Sequence, residues 1–248
     1  MLKEIFLLLL VIVVVVNGDR QCTVKCQFSL AFGEPFQVPK NCTTETGDNT
    51  FTCFVTAYID YIQKQIEIQL NAENESPASN ETYGQEIMLR FDQSDELMKT
   101  GVIYGCTISN DCAKNYIEKQ LRILVDHEGI LHTIKDKLYN PGSSNVQQCN
   151  DLQNNTIACG NGQCRAELGT FNNPEDPVPF YRTYCNYSPP EDPFQNKTGL
   201  FDITARGYPP PGVDMHDLYY VCNQNLCNNQ ETINLIQKLI NDYNLNEV

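Results

Sequence analysis

Histidine, carboxylate and cysteine are the residue types able to do chemistry in this 248-residue chain, and their spacing limits what that chemistry is. His127-Glu128-Gly129-Ile130-Leu131-His132 approaches the zinc-binding pattern H-E-x-x-H. That pattern needs its histidines four apart on one helix face; five apart they diverge by about 140°, and Gly129 weakens the helix. His216-Asp217 sets an imidazole beside a carboxylate, as a general base and its orienting group would be set. No glycine-rich calcium loop accompanies it, so a surface pair is expected. Asp92, Asp95 and Glu96, and further on Glu191 and Asp192, supply paired carboxylates. No apolar sequence encloses them to drive their pKa values apart, so they read as solvated. No G-x-S-x-G nucleophile elbow occurs. The expectation is a non-enzyme with no catalytic residue, no metal and no cofactor.

Sulfur is the more informative chemistry. Twelve cysteines fall into two groups of six: Cys22, Cys26, Cys42, Cys53, Cys106 and Cys112, then Cys149, Cys159, Cys164, Cys185, Cys222 and Cys227. An even count downstream of an export signal predicts disulfides rather than thiolates, so the C-x4-C spacing of Cys222 and Cys227 reads as a crosslink and not as zinc ligands. The export signal is the apolar run Ile5 to Val16, too short for the roughly 20 residues of a membrane span, with cleavage expected after Gly18. The polar C-terminus predicts no lipid-anchor tail, hence a secreted, extracellular product with no membrane anchor. Six N-x-S/T sequons, at Asn41, Asn74, Asn80, Asn154, Asn186 and Asn196, are the expected glycosylation sites of a secreted chain. Net charge is −14, from 17 basic and 31 acidic residues, which disfavours nucleic acid and anionic lipid as partners.

The elements that must position these groups divide the chain into residues 1–18 (signal peptide), 19–138 (a first cysteine-rich module), 139–148 (a turn-forming linker around Pro141-Gly142) and 149–248 (a second module). The fold class expected is disulfide-rich and mainly β with short helices, a small α+β arrangement. Thr50 to Tyr58 is rich in β-branched and aromatic residues, and Ile66 to Leu70 alternates as a half-buried strand does. Asn71 to Gly84 reads as an exposed loop. Each module ends alike: Cys106 and Cys112, or Cys222 and Cys227, precede an apolar stripe at helical spacing. The first stripe is Ile117, Leu121, Leu124 and Val125, with Gly129 as its expected stop. The second is Ile233, Ile236, Leu239, Ile240 and Tyr243, with Asn228 and Glu231 spaced as a capping box. Each stripe is expected to cover its own module. The matching ends suggest a duplicated unit.

Thr156-Ile157-Ala158-Cys159, Cys164 to Leu168, Phe180 to Cys185, and Tyr219-Tyr220-Val221-Cys222-Asn223-Gln224-Asn225-Leu226-Cys227-Asn228 together resemble a three-finger (Ly6/uPAR-like) domain over residues 149–228. The closing pair followed by asparagine is that family's signature. The resemblance implies the pairs Cys149–Cys164, Cys159–Cys185 and Cys222–Cys227, with Cys159 and Cys164 flanking a turn between two strands. It further implies an Asn228 side chain that ties the hairpins together, and a central finger from Leu168 to Tyr181. The sequence departs from the pattern in the 36 residues between Cys185 and Cys222, which carry no cysteine for a third-finger crosslink. In the first module only Cys106–Cys112 is implied, and the other pairings stay open among the 15 that six cysteines allow. The whole chain is also similar to secreted cysteine-rich families expanded in nematodes, among them the ET module.

These readings converge on a secreted module that binds a protein or receptor partner through hairpin tips and loops, with Phe171, Phe180 and Tyr181 as candidate contacts. Two alternatives remain: a protease inhibitor presenting Asn172–Phe180 as a rigid loop, and a hydrolase with unidentified catalytic residues.

Overall fold

The computed structural model describes residues 19–48, 50–74, 80–92, 95–142, 146–171, 178–186, 200–207 and 217–243. Residues 1–18, the expected signal peptide, lie outside them, as do the segment 172–177, Glu191, Asp192, Asn196 and His216. The first half contributes β1 (Arg20–Val24), β2 (Cys26–Ala31), β3 (Thr43–Gly47), β4 (Thr52–Asp60), β5 (Gln65–Glu73), β6 (Glu81–Asp92) and β7 (Asp95–Cys106). Two helices follow, α1 (Cys112–Asp126) and α2 (Glu128–Leu138). The second half contributes β8 (Val146–Asn150), β9 (Thr156–Phe171), β10 (Val178–Asn186), β11 (Leu200–Gly207), β12 (Asp217–Cys222) and α3 (Gln230–Tyr243). Over the described residues the fold is disulfide-rich and mainly β with three short helices.

One antiparallel sheet runs through both halves in the order β10-β9-β12-β11-β6-β7-β4-β5-β2, with β8 on the first part of β9 and β1-β3 forming a separate ladder. The order β5-β4-β7-β6 in the first half is repeated as β10-β9-β12-β11 in the second. The repeats meet through β6 and β11, which pair antiparallel from Arg90↔Leu200 to Tyr83↔Gly207. The cysteine-bearing end of one half therefore lies beside the turn end of the other. No disulfide crosses between the halves, but the backbone ladder does.

The disulfides are Cys22–Cys53, Cys26–Cys42 and Cys106–Cys112 in the first half, and Cys149–Cys164, Cys159–Cys185 and Cys222–Cys227 in the second. No cysteine is free. The repeat is visible in their placement. Cys53 stands opposite Cys106 on β4 and β7, and Cys164 opposite Cys222 on β9 and β12. In each half the first cysteine of a closing pair thus sits beside a crosslink to the opening strand.

The loop between the closing cysteines grips that opening strand in the same way twice. Asp111, directly before Cys112, and Leu226, directly before Cys227, both adopt positive φ (51° and 57°). Their amides donate to the carbonyls of Gln21 (2.8 Å) and Gln148 (2.9 Å), the residues just before Cys22 and Cys149. Asn110 Oδ1 accepts from the Gln21 amide at 2.9 Å, as Asn225 Oδ1 accepts from Gln147 at 2.8 Å. Asp111 Oδ1 accepts from the Thr23 amide at 2.6 Å, and Asn228 Oδ1 from the Asn150 amide at 2.8 Å. Burial opposes ionisation of Asp111, but bonds from Lys114 and Thr23 outweigh it and hold its carboxyl below the usual carboxylate range.

Several local expectations are corrected by packing. β5 continues to Glu73 and β6 begins at Glu81, so Asn71–Glu73 and Glu81–Gly84 are strand and not loop. Their polar composition hid this, because residues on an uncovered face need not be apolar. Gly129 does not stop a helix. The chain kinks at His127, and Gly129 lies in the first turn of α2, whose Leu131, Ile134 and Leu138 are buried at helical spacing. β9 spans Thr156 to Phe171, but its ladder with β8 slips between Ala158 and Gly162 and Cys159 Sγ lies 3.7 Å from the Gln163 carbonyl, so the strand bends sharply between Cys159 and Cys164, at the place of the expected turn. β8 starts at Val146, inside the stretch read as linker. The cap of α3 is Asn229, whose Oδ1 accepts from the Thr232 amide at 2.7 Å.

The helices lie on one side of the sheet. α1 packs on β4 and β7 of its own half, as expected. α3 departs from its expected role by packing along α2, across the boundary between the halves. Its last residue, Tyr243, is fully buried, and its hydroxyl meets Thr100 Oγ1 at 2.7 Å and the Tyr61 hydroxyl. Tyr61 in turn donates to the Leu124 carbonyl of α1 at 3.0 Å. Asn223 secures the same boundary, accepting from the Asn140 amide at 2.7 Å and donating to the Asn140 carbonyl at 2.8 Å.

Two outcomes follow from this packing. Tyr243→Phe removes one partner from each of the buried Thr100 and Tyr61 hydroxyls and should cost about 1–3 kcal/mol in urea unfolding. An unchanged midpoint would mean the hydroxyl relay adds nothing. A carboxyl with a lowered folded pKa contributes stability above its unfolded value, lost as pH falls through the folded one. Asp111→Asn should therefore flatten the loss of stability between neutral pH and pH values below the ordinary aspartate range near 3.8. Identical pH profiles for the two proteins would remove Asp111 from the account.

Candidate functional site

The face of the sheet opposite the helices is where the chain presents side chains to solvent. Strand alternation sorts them. On β4, Val55, Ala57 and Ile59 are buried toward the helices, whereas Phe54, Thr56 and Tyr58 point the other way. On β7, Met98, Thr100 and Val102 are buried and Ile103 points outward. Tyr58 is 47% exposed and Ile103 52%, and they are diagonal neighbours, since Tyr58 pairs with Gly101 and Thr56 with Ile103. Large apolar groups this exposed and adjacent are unusual on an otherwise alternating sheet.

The second half adds a polar-aromatic cluster on the same face. Arg165 of β9 lies between the rings of Tyr219 on β12 (4.2 Å to the centroid) and Tyr184 on β10 (5.4 Å), a cation–π sandwich. Its guanidinium pairs with Glu167 at 2.6 Å, and Glu167 also accepts from the Tyr184 hydroxyl at 3.0 Å. Burial, helped by Glu167 and opposed by Arg165, pushes the Tyr184 phenol up to about 12, so it stays a donor at neutral pH. Phe180 extends the cluster across Gly169, its register partner. A Cβ on Gly169 would come within 2.3 Å of Asp217 Oδ1 and 2.6 Å of the Phe180 ring, so only glycine lets both close over the strand. Sequence reading missed Arg165, Tyr184 and Tyr219 as a group. They are far apart in the chain, and only the β10-β9-β12 register places them together.

The residues singled out from sequence are dispersed. Phe180 and Tyr181 are both half-buried, but as strand neighbours they face opposite sides: Phe180 toward the uncovered face, Tyr181 against the core. They cannot anchor one partner together. Phe171 ends β9, with its side chain outside the described set, as is most of the inhibitory-loop candidate Asn172–Phe180. Asn41, Asn74, Asn80 and Asn154 are exposed in turns or bends between strands, and Asn186 closes β10. No described sequon is on the uncovered sheet face away from the strand ends.

Of the polar residues weighed for catalysis, Asp92 and Asp95 are register partners at the ends of β6 and β7, while Glu191, Asp192 and His216 lie outside the described residues. His127 occupies the kink between α1 and α2, its ring 5.8 Å from that of Tyr243. His132 pairs with Glu128 at 3.1 Å on the outside of α2. Glu96 pairs with Lys135. Cys149, Cys159 and Cys185 bring their sulfurs within 4.8 Å of one another, but each is disulfide-bonded, so no thiolate remains to hold a metal.

Asn228 is a structural latch. It is fully buried, and its Nδ2 faces the carbonyls of Asn150 (3.0 Å), Arg165 (3.1 Å) and Tyr184 (3.4 Å), on β8, β9 and β10. One side chain therefore ties β8 to β9 and β10, two of the three strands that carry the Arg165 cluster. Comparison with protein-family models, curated proteins and solved structures finds no match.

Asn228→Asp should replace the central donor with a carboxylate aimed at three carbonyls. The expected loss is on the order of 3–5 kcal/mol, the cost of an uncompensated buried charge. Thermal unfolding and secreted yield measure it; a melting point equal to that of the parent would refute the latch.

Proposed function

We propose that this is a secreted, non-enzymatic interaction protein that captures a protein partner on the uncovered face of its sheet. The observation that carries the reading is the adjacent exposure of Tyr58 and Ile103 on a face that also bears Phe180, Tyr184, Tyr219 and Arg165. Aromatic residues and arginine are the types enriched where interfaces concentrate their energy. Arg165 on β9 and Tyr58 on β4 are five strand spacings apart, about 24 Å at ~4.8 Å per strand, which a partner covering a standard interface can span.

Six disulfides, and no described helix long and apolar enough to cross a membrane, fit an extracellular location. The exposed Asn41, Asn74, Asn80 and Asn154 are available to glycans that would leave the sheet face clear. The second half is read as three-finger-like, and the repeated strand order and the repeated grip of the closing loop on the opening strand support a duplicated unit.

The test is a comparison of equally exposed apolar sites. A partner is first isolated by crosslinking in extracellular fluid and its affinity measured with purified components. Ile103→Glu, or Phe180→Ala, should weaken capture tenfold or more. Glutamate at Ile108 or Leu152, 56% and 54% exposed but in turns, should not. Equal losses at all four positions, or losses only at the turns, would reject the sheet face.

A further inference from the structure

Away from the sheet face, the first half encloses a cavity of about 360 Å³ between β2, β5 and α1. Its floor is the register pair Leu30 and Ile66, and one wall is Leu121 and Val125 of α1. The opposite wall is a tight turn followed by Phe36. In that turn the Glu34 amide donates to the Ala31 carbonyl at 3.1 Å, and Glu34 Oε2 accepts from the Ala31 amide at 2.8 Å. Gly33 holds φ +85°, the value required at the third position of a type II turn and strained for any other residue. Phe36 is steadied by Phe28, ring centroids 5.8 Å apart.

The rim is charged, and unevenly. Glu34, Glu118 and Asp126 stand against a single cation, Arg122. Arg122 approaches Asp126 only to 4.0 Å and is 89% exposed, so it neutralises little of that charge. An apolar floor draws an apolar body out of water, while three carboxylates against one guanidinium favour a cation and repel an anion. The volume is that of about a dozen liquid waters, small for a peptide and ample for one ring or a short alkyl chain.

Among the described residues, the strand that floors the cavity has no counterpart in the second half. β2 adds a strand outside β5, whereas β10, the counterpart of β5, is the last strand of the described order. The segment that builds the cavity wall is therefore an addition to the first half, and the shared scaffold does not require it.

We propose that this cavity binds a small amphiphilic amine, with its apolar body against Leu30, Ile66, Leu121 and Val125. Its ammonium sits at the rim formed by Glu118, Asp126 and Glu34. The site is independent of the sheet face, so the two readings stand or fall separately.

Calorimetric titration of the secreted full-length protein with 2-phenylethylamine and its anionic analogue 3-phenylpropionate decides the matter. The amine should bind at low salt and the carboxylate should not. Glu118→Gln and Asp126→Asn, both on exposed helix positions, should each weaken the amine about two- to fivefold, the size of an exposed ion pair. Their combination should reach about tenfold without changing the melting temperature. Val125→Trp, which fills the space, should abolish binding; the charge variants decide if this one fails to fold. Binding of phenylpropionate as tight as that of the amine, no heat from either ligand, or unchanged amine affinity in the double variant would each overturn the proposal.

Discussion

The antiparallel ladder between β6 and β11 is the constraint on which the rest of the molecule depends. Each half, taken alone, ends in a strand with a free edge, and an unpaired edge invites association with any other strand. Here the two free edges satisfy each other over eight consecutive register pairs. Because the pairing is antiparallel, the halves lie head to tail. That orientation sets α3 along α2 and brings Tyr243 to Tyr61 and Thr100. It also leaves one continuous uncovered face. β11 lies in the long stretch between Cys185 and Cys222 that has no cysteine, so hydrogen bonding to two neighbouring strands anchors it in place of a crosslink.

Within each half the equivalent constraint is the grip of the closing loop on the opening strand. Opening strand, central strand and closing loop meet at Cys22–Cys53 beside Cys106–Cys112, and at Cys149–Cys164 beside Cys222–Cys227. The loop spans only a few residues, so its short side chains must supply acceptors for amides that the strand leaves unpaired. Aspartate and asparagine do this at minimal reach. The two halves share one acceptor, Asn110 and Asn225, each two residues before the second closing cysteine, and differ in the other, Asp111 in one and Asn228 in the other. The backbone geometry is shared, and this kinship is stronger in hydrogen bonds than in sequence.

The uncovered face illustrates why functional surfaces are harder to read than cores. Phe180 and Tyr181 look interchangeable in the chain, both aromatic and adjacent to one hairpin. The pleat assigns them to opposite sides, and a shift of one residue in register would exchange them. Arg165, Tyr184 and Tyr219 carry no local signal at all, because their cluster exists only through pairing across three strands. The buried stripes of α1 and α3 were legible, since burial imposes a 3.6-residue period on apolar positions. What α3 covers was not, because an amphipathic stripe specifies an apolar contact without naming it.

Sequence by itself determined the disulfide-rich, mainly β class, the even and internally consumed cysteines, the strands around Cys53 and Ile66, and the helices that follow each closing pair. These are local or compositional properties, decided by side-chain type and short-range spacing. Only the tertiary structure decided that the halves share one sheet, that Asn229 and not Asn228 caps the helix, and that one face collects the exposed aromatic groups. Those outcomes depend on strand register and on which edge meets which. Backbone hydrogen bonds form equally well in many registers, and the one adopted is selected by burial between distant strands, which no short window of sequence displays.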